Sequence, residues 1–179
     1  MAKVTEPIDD LQAALATFTG NEVSLLSEVK ARFRSQPDFE TSITALAASD
    51  DPMMSRAAMW VILECVREGT LLVHRISAAL HPHLQALADW QAVLCLLQAF
   101  DQLSQPIDHA ESYADFAEAN LSHQRPFLRA WSMNTLCRLA RFHPELAARA
   151  QRTHQNAIND PAASVRARAR NIAPPVLNA

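Results

Sequence analysis

Glycine is scarce in this chain, and the shortage excludes several classes of fold and of binding site. Gly20 and Gly69 are the two glycines among 179 residues. Sheet-rich folds and glycine-rich phosphate loops need residues of positive φ at their turns, which glycine adopts without steric strain. The nucleotide-binding patterns G-x-G-x-x-G and G-x-x-x-x-G-K-[ST] are absent from the sequence. The composition therefore predicts neither an all-β fold nor a common nucleotide-binding loop.

Cysteines and long apolar runs are also few, which bears on the compartment. The three cysteines, Cys65, Cys95 and Cys137, form no C-x-x-C pair, so a disulfide framework is not expected and a reducing compartment fits better. Apolar runs such as residues 59–63 and 92–97 fall far short of the roughly 20 residues that a membrane-spanning helix needs. The N-terminus lacks the apolar segment of a signal peptide. These features predict a cytoplasmic protein that does not contact a membrane.

Prolines and helix-capping residues divide the chain into segments of helical character. Proline suits the first helical turn, where its missing N–H has no partner to lose, and here it repeatedly precedes apolar runs with helical spacing. Val93, Leu96, Leu97 and Phe100 show that spacing, and no run alternates like a half-buried strand. The sequence predicts an all-α protein of ten helices in antiparallel pairs. The predicted helices begin near residues 7, 21, 37, 52, 70, 82, 106, 126, 144 and 161.

A degenerate internal repeat runs through most of these segments. Arg56, Asp89, Arg129 and Arg166 occupy similar places in successive units, at separations of 33, 40 and 37 residues. An apolar or aromatic residue follows three of these anchors at four and again at seven positions, on the same face of a helix. Helical pairs of this kind cannot bury their apolar faces singly, so the repeat predicts stacked pairs with one continuous core.

The repeat resembles the HEAT repeat, whose second helix typically opens with Asp-Pro-x-x-x-Val-Arg. Asp160-Pro161 followed by Val165-Arg166 is close to that form, and Asp50 and Arg56 keep the same separation. The resemblance implies a right-handed, armadillo-type α-solenoid of about five antiparallel helical pairs in a single domain, residues 1–179. Residues 37–173 carry the repeats, residues 7–35 an extra pair and residues 174–179 a short tail. Asp50, Arg56, Arg129, Asp160 and Arg166 are then structural repeat positions. The middle units depart from the pattern, with His83, Asp89 and His123 in place of its Asp or Arg.

Charge is strongly segregated along the chain. Residues 121–179 contain nine arginines and two acidic residues, whereas residues 1–120 contain seven basic and seventeen acidic residues. Arginines can bind phosphate or an acidic partner through a bidentate fork, but they can equally be solvated or bonded within the protein. The candidate binding arginines outside the repeat positions are Arg125, Arg138, Arg141, Arg149 and Arg152.

Three tryptophans, Trp60, Trp90 and Trp131, lie in predicted second helices of the repeats. Trp90 and Trp131 are candidates for a binding groove, and core packing is the alternative, favoured for Trp60. Asp89 beside Trp90 invites comparison with the HEAT-like alkylpurine DNA glycosylases, in which aromatic side chains and a carboxylate flank the lesion. That comparison rests on one adjacent pair, and neighbouring helical residues point about 100° apart.

Histidine and cysteine spacing predicts neither a metal site nor a catalytic thiol. His81 and His83 are the one close histidine pair, and the chain has no H-x-x-x-H or H-E-x-x-H pattern. The cysteines stand in apolar surroundings, which is typical of buried structural thiols. No catalytic constellation, cofactor or metal is therefore predicted.

Two functions remain open at this point. The first is a non-enzymatic protein-binding or scaffold module that uses the concave surface of the repeats. The alternative is nucleic-acid binding through the arginine-rich C-terminal third. The most specific version of this alternative is a relation to the HEAT-like alkylpurine DNA glycosylases. The acidic stripe Glu111, Asp115 and Glu118 is expected to be solvated, or to pair with the basic end of a neighbouring molecule. The oligomeric state stays open.

Overall fold

The computed structural model describes residues 7–173, and these residues form α-helices and short 3-10 helices but no strand. The all-α prediction is confirmed. Within the described residues, ten α-helices run in chain order: α1 Pro7–Leu15, α2 Val23–Phe33, α3 Phe39–Ala47, α4 Pro52–Arg67, α5 Val73–Leu80, α6 Trp90–Ala99, α7 Ala110–Ala119, α8 Pro126–Ala140, α9 Ala147–Ile158 and α10 Ala163–Asn171. The 3-10 helices are His81–Ala86, Phe100–Gln102 and Pro144–Leu146. The predicted tail, residues 174–179, lies outside this range.

Two compact units divide the chain, an N-terminal unit up to Cys95 and a C-terminal unit from Leu96 onward. In the N-terminal unit α4 packs against α3 and α2, and α1 packs against α3. Ile43 of α3 and Met59 and Ile62 of α4 are completely buried. Burial of each such side chain stabilises the fold by about 1.5–3 kcal/mol.

The C-terminal unit is built around α8, which contacts α7, α9 and α10. Met133 and Leu136 of α8 are completely buried. The rings of Phe100 and Tyr113 lie 5.0 Å apart in a tilted arrangement, within the range of favourable aromatic pairs. Ser132, also on α8, is completely buried, and its hydroxyl has no hydrogen-bond partner among the described residues.

Side chains at or just before the starts of three helices accept hydrogen bonds from the backbone. The side chain of Asp51, the N-cap residue of α4, accepts from the Met53 N–H (2.9 Å). In the turns before α10 and α8, Asp160 accepts from the Ala162 N–H (2.8 Å) and His123 Nδ1 accepts from the Arg125 N–H (3.0 Å). Ala162 and Arg125 are themselves the N-cap residues of these two helices, which have no side-chain cap. The cap of α4 is thus Asp51, one residue after the predicted repeat position Asp50.

Glycine ends α4. Gly69 has a φ of +72°, in the left-handed region that most residues avoid. Its N–H donates to the Val66 carbonyl, and the Thr70 N–H donates to the Cys65 carbonyl. These bonds satisfy carbonyls that a helix end leaves free.

No helix of the described chain is both long and apolar enough to cross a membrane.

The sixth helix corrects the predicted repeat register. Pro82 begins only the short 3-10 helix His81–Ala86, and α6 starts at Trp90 rather than near residue 82. The Asp89 carboxylate accepts hydrogen bonds from the N–H groups of Gln91 and Ala92, both 3.0 Å, so it caps α6. The alignment of Asp89 with the arginine anchors was therefore wrong. A capping carboxylate satisfies the free N–H groups at a helix start, which an arginine side chain cannot do.

Candidate functional site

An arginine–aspartate pair joins α4 to the start of α6. Arg56 Nη2 lies 2.6 Å from Asp89 Oδ2, and Arg56 Nε lies 3.2 Å from Asp89 Oδ1. The Asp89 side chain is only 7% exposed. Burial raises the pKa of Asp89, but hydrogen bonds from Arg56 and from the backbone of Ala92 and Gln91 outweigh it and hold the pKa below its ordinary value. Asp89 is therefore an ionised structural carboxylate.

A second pair of this kind joins α8 to the start of α10. Arg129 donates from Nε (2.9 Å) and Nη2 (2.8 Å) to the two carboxylate oxygens of Asp160. Arg129 Nη1 also donates to the carbonyls of His123 (2.9 Å) and Gln124 (3.3 Å). The bonds from Arg129 lower the pKa of Asp160, with a smaller opposing effect of burial. Arg56, Arg129 and Asp160 therefore hold helices in place.

The arginines that the sequence grouped as one binding patch do not share one environment. Arg138 donates from Nε and Nη2 to Asp101 Oδ1, at 2.9 and 2.8 Å. Arg141 and Arg152 are exposed and have no hydrogen bond or ion pair within residues 7–173. Arg125 is exposed at the N-cap of α8.

Arg149 binds the acidic stripe of α7. It donates to Glu111 (2.5 Å), Asp115 (2.6 Å) and Glu118 (2.9 Å). Bonds to Glu118 and Asp115 raise the pKa of Arg149 above its already high value, against a smaller effect of burial. The acidic stripe is thus paired with an arginine of the same chain. The stripe therefore no longer indicates a contact with the basic end of a neighbouring molecule.

The N-terminal unit contains an apolar groove of about 260 Å³ lined by Trp60 and Trp90. Arg56 also lines it, and its guanidinium is bonded to Asp89. A carboxylate acting in base excision must be available to its substrate, whereas Asp89 already accepts two hydrogen bonds from Arg56 and two from the backbone. The glycosylase comparison gains no support from this geometry.

A second groove, of about 320 Å³, lies between α8 and α10 in the C-terminal unit. The guanidinium carbon of Arg168 lies 3.7 Å from the centroid of the Trp131 ring, in a cation–π stack. Phe127, one helical turn before Trp131, is 60% exposed. We call this site the aromatic–arginine groove. Its lining residues are Phe127, Ala130, Trp131, Ser164, Ala167, Arg168 and Asn171.

Sequence reasoning identified Trp131 as a candidate but missed Phe127 and Arg168. A signal was present, because Phe127 and Trp131 are four residues apart, as are Ser164 and Arg168. That spacing places each pair on one side of its helix. Nothing in either helix pattern, however, reveals that the two sides face each other across a groove.

The thiols and histidines form no reactive cluster in the part of the chain that the structure describes. Burial raises the pKa of Cys95 and of Cys137 to about 12, and it also raises the pKa of Cys65. All three cysteines are buried and unpaired, which confirms the prediction of structural thiols. Residues 7–173 contain no group of three His, Cys, Asp or Glu side chains placed to hold a metal ion.

No family model matches the chain, and searches among curated proteins and among solved structures found no match. The aromatic–arginine groove and the internal arginine–carboxylate pairs are therefore the features from which a function can be argued.

Proposed function

We propose that this chain is a HEAT-like helical-repeat protein whose function is to bind another protein, without catalysis. In this proposal the aromatic–arginine groove receives an apolar side chain from an extended or helical segment of the partner. The second helices of the repeats, α8 and α10, form both walls. This supports a binding site on the surface that repeat proteins of the resembled family commonly use.

The observation that carries the proposal is the exposure of Phe127 at this groove. A phenylalanine that is 60% exposed keeps most of its apolar surface in water. Beside it stand Trp131 and Arg168, and tryptophan and arginine are enriched among the residues that contribute most to protein–protein affinity. A groove of about 320 Å³ offers room for one large apolar side chain.

Charge favours an acidic partner segment. Helices α8 and α10 carry five arginines and no acidic residue. Arg129 and Arg138 are neutralised by carboxylates from other parts of the unit, whereas Arg168 has no ion pair within the described residues. A carboxylate beside the inserted side chain would meet the Arg168 guanidinium, which supports protein recognition by charge as well as by shape.

The same contacts argue against nucleic acid as the principal ligand. Arg138 and Arg149 are occupied by carboxylates, and the stack with Arg168 covers one face of Trp131 that a base would need. Arg141 and Arg152 are exposed basic side chains that a phosphate backbone could still use. Nucleic-acid binding is therefore the alternative that the experiment has to separate.

The test places a photo-crosslinking amino acid at position 127 in the full chain. The matched control carries it at Val23 in the N-terminal unit, which is also an exposed apolar residue, 52% accessible. We expect one protein to crosslink from position 127 and not from position 23 in native extract. The purified partner must then bind the wild-type chain and lose at least tenfold in affinity to Phe127→Ser, while Val23→Ser binds normally. A partner that binds Phe127→Ser unchanged would falsify the proposal.

Anisotropy titrations with labelled single-stranded and duplex oligonucleotides test the alternative. Binding that falls by decades with added salt, and is lost in Arg141→Gln with Arg152→Gln, would favour nucleic acid. On the protein-binding proposal these titrations show no saturable binding at physiological salt.

A further inference from the structure

Both arginine–aspartate pairs have the same hydrogen-bond geometry, and a third arginine, Arg166, shows part of it. Arg56 and Arg129 each hold an aspartate through Nε and Nη2, and each of those aspartates also accepts a hydrogen bond from the backbone just before or at the start of the next helix. Asp89 caps α6, and Asp160 binds the N–H of Ala162, the N-cap residue of α10. The structure thus contains two examples of what this guanidinium geometry binds: a carboxylate at the start of a helix.

Arg166 on α10 has the local geometry of Arg129. Its Nη1 donates to the carbonyls of Asp160 (2.7 Å) and Pro161 (2.8 Å), six and five residues earlier. Arg129 Nη1 donates to carbonyls at the same two separations. These bonds fix the guanidinium, and its Nε and Nη2 make no hydrogen bond within residues 7–173.

The flank of α10 that carries Arg166 is separate from the aromatic–arginine groove. Ala163, Arg166 and Arg170 recur at three and four residues and share one flank, roughly half a turn away from Ser164 and Arg168. Arg170 is exposed, and so is Ile158 at the end of α9, 44% accessible. We call Ala163, Arg166 and Arg170 the Arg166 flank.

The arginines of this flank form no ion pair within the described residues, although Arg166 lies close enough to Asp160 to lower the pKa of that carboxyl slightly. Neither α9 nor α10 contains an acidic residue. Asp160, in the loop between them, is already bonded to Arg129 through both carboxylate oxygens. An arginine fork of this kind matches a carboxylate in shape and charge.

We propose that the Arg166 flank is a second docking surface, at which Arg166 binds the carboxylate of an aspartate that caps a helix of a partner protein. The occupant is a protein segment, because both internal examples hold an aspartate at a helix start. The partner's aspartate accepts from Arg166 Nε and Nη2, and its backbone enters a helix beside Ala163. The bonds of Arg166 Nη1 to the backbone orient the fork before the partner arrives.

The experiment selects displayed 16-residue random peptides on the intact wild-type protein. We expect the enriched peptides to share an aspartate followed by helix-forming residues. In a synthetic copy of the best peptide, replacing that aspartate with asparagine should weaken binding at least tenfold. This peptide-side change leaves the protein untouched, so the test survives if an arginine variant folds poorly.

Protein variants then locate the site. Arg166→Gln should lose at least tenfold in affinity for the selected peptide, and Arg166→Lys should lose severalfold, because lysine keeps the charge without the fork. Arg152→Gln, an exposed arginine of α9 outside the flank, is the control and should change affinity less than threefold. A thermal melt of each variant establishes that it is folded.

Several outcomes would overturn the inference. Peptides without a required aspartate, or peptides bound equally by Arg166→Gln, remove the carboxylate site. Peptides that are lost with Phe127→Ser but kept with Arg166→Gln occupy the aromatic–arginine groove, which supports the proposed function and contradicts this second surface. Concentration-dependent self-association that Arg166→Gln abolishes would assign the flank to a second copy of the chain instead. Oligonucleotide binding that requires Arg166 would assign it to nucleic acid.

Discussion

Each unit contains one arginine–aspartate pair. In both pairs the arginine binds the two carboxylate oxygens, but the two pairs differ in the further hydrogen bonds that the arginine and the aspartate make. In the N-terminal unit the aspartate carries more bonds, since Asp89 binds Arg56 and two backbone N–H groups. In the C-terminal unit the arginine carries more, since Arg129 also binds two carbonyls while Asp160 binds one backbone N–H. One kind of ion pair therefore depends on different partners in its two settings.

The largest expected effect comes from removing the aspartates. Asp89→Ala frees two N–H groups of α6 and leaves Arg56 unpaired in a partly buried site, so we expect a loss of about 3 kcal/mol in the free energy of unfolding. Asp160→Ala leaves Arg129 bonded to two carbonyls, and we expect about 2 kcal/mol. Urea denaturation followed by circular dichroism measures both.

The control for these variants is Asp50→Ala. Asp50 is exposed, and its side chain makes no hydrogen bond or ion pair within the described residues. Its replacement should leave stability within about 0.5 kcal/mol of the wild type. A loss in Asp160→Ala equal to or above that in Asp89→Ala would contradict the difference drawn between the two pairs.

Acid should weaken both pairs. The pKa values of Asp89 and Asp160 in the folded protein lie below the ordinary value of 3.8. Because these folded pKa values are depressed, their contribution to stability is present above about pH 4 and is lost as the pH falls further. Urea denaturation midpoints should be measured at pH 7, 5, 4 and 3. Asp89 and Asp160 should cause no change in the midpoint down to pH 5 and a decrease below it. The drop should be smaller in Asp89→Asn; an identical profile there would show that Asp89 contributes nothing to it.

A smaller effect is expected from Arg149, whose partners are more exposed than either aspartate. Arg149→Gln leaves Glu111, Asp115 and Glu118 facing one another, and we expect a loss of about 1 kcal/mol. Salt screens this repulsion, so the stability difference between Arg149→Gln and the wild type should be smaller at about 0.5 M sodium chloride than at about 0.05 M. Arg152→Gln, on the same helix and exposed, is the control and should change little. A salt-independent loss would mean that packing, rather than charge, is responsible.

The smallest expected effects come from replacing two buried serines, one in each unit. Ser55 Oγ donates to the Ala47 carbonyl at 2.8 Å, so Ser55→Ala should lower stability by about 1 kcal/mol. Ser132 Oγ is buried without a partner among the described residues, so Ser132→Ala should leave stability unchanged or raise it by up to about 1 kcal/mol. Denaturation midpoints of the two variants give the comparison. A clear loss in Ser132→Ala would show that its hydroxyl is bonded after all, for instance to water.

Helix type and most helix starts were predictable from sequence because their causes are local. Proline at the first turn places the start of α4 at residue 52 and that of α8 at residue 126, as predicted, and a capping side chain reinforces the start of α4. The α6 start was missed because Pro82 sends the same local signal for a 3-10 turn as for an α-helix. The competing signal was also local, because Asp89 directly precedes Trp90 and aspartate is a preferred N-cap residue, but the repeat alignment assigned Asp89 to an arginine position.

The candidate site was less predictable because pairing is not local. Nine arginines in the last third of the chain look alike in sequence, yet Arg138 and Arg149 meet carboxylates 37 and up to 38 residues away. Arg141 and Arg152 meet none within residues 7–173. Composition counts charges, but only contacts between distant helices decide which charges remain available to a ligand.

The sequence by itself determined that the chain is helical, where most helices begin and that its cysteines are buried, because capping, helical periodicity and apolar content act over a few residues. Tertiary structure alone decided that Asp89 belongs to Arg56, that the acidic stripe of α7 belongs to Arg149, and that Phe127 and Trp131 face Arg168 across a groove. Those outcomes depend on how helices far apart in sequence pack together. Packing is fixed by the shapes of whole helix faces, which no single stretch of sequence records.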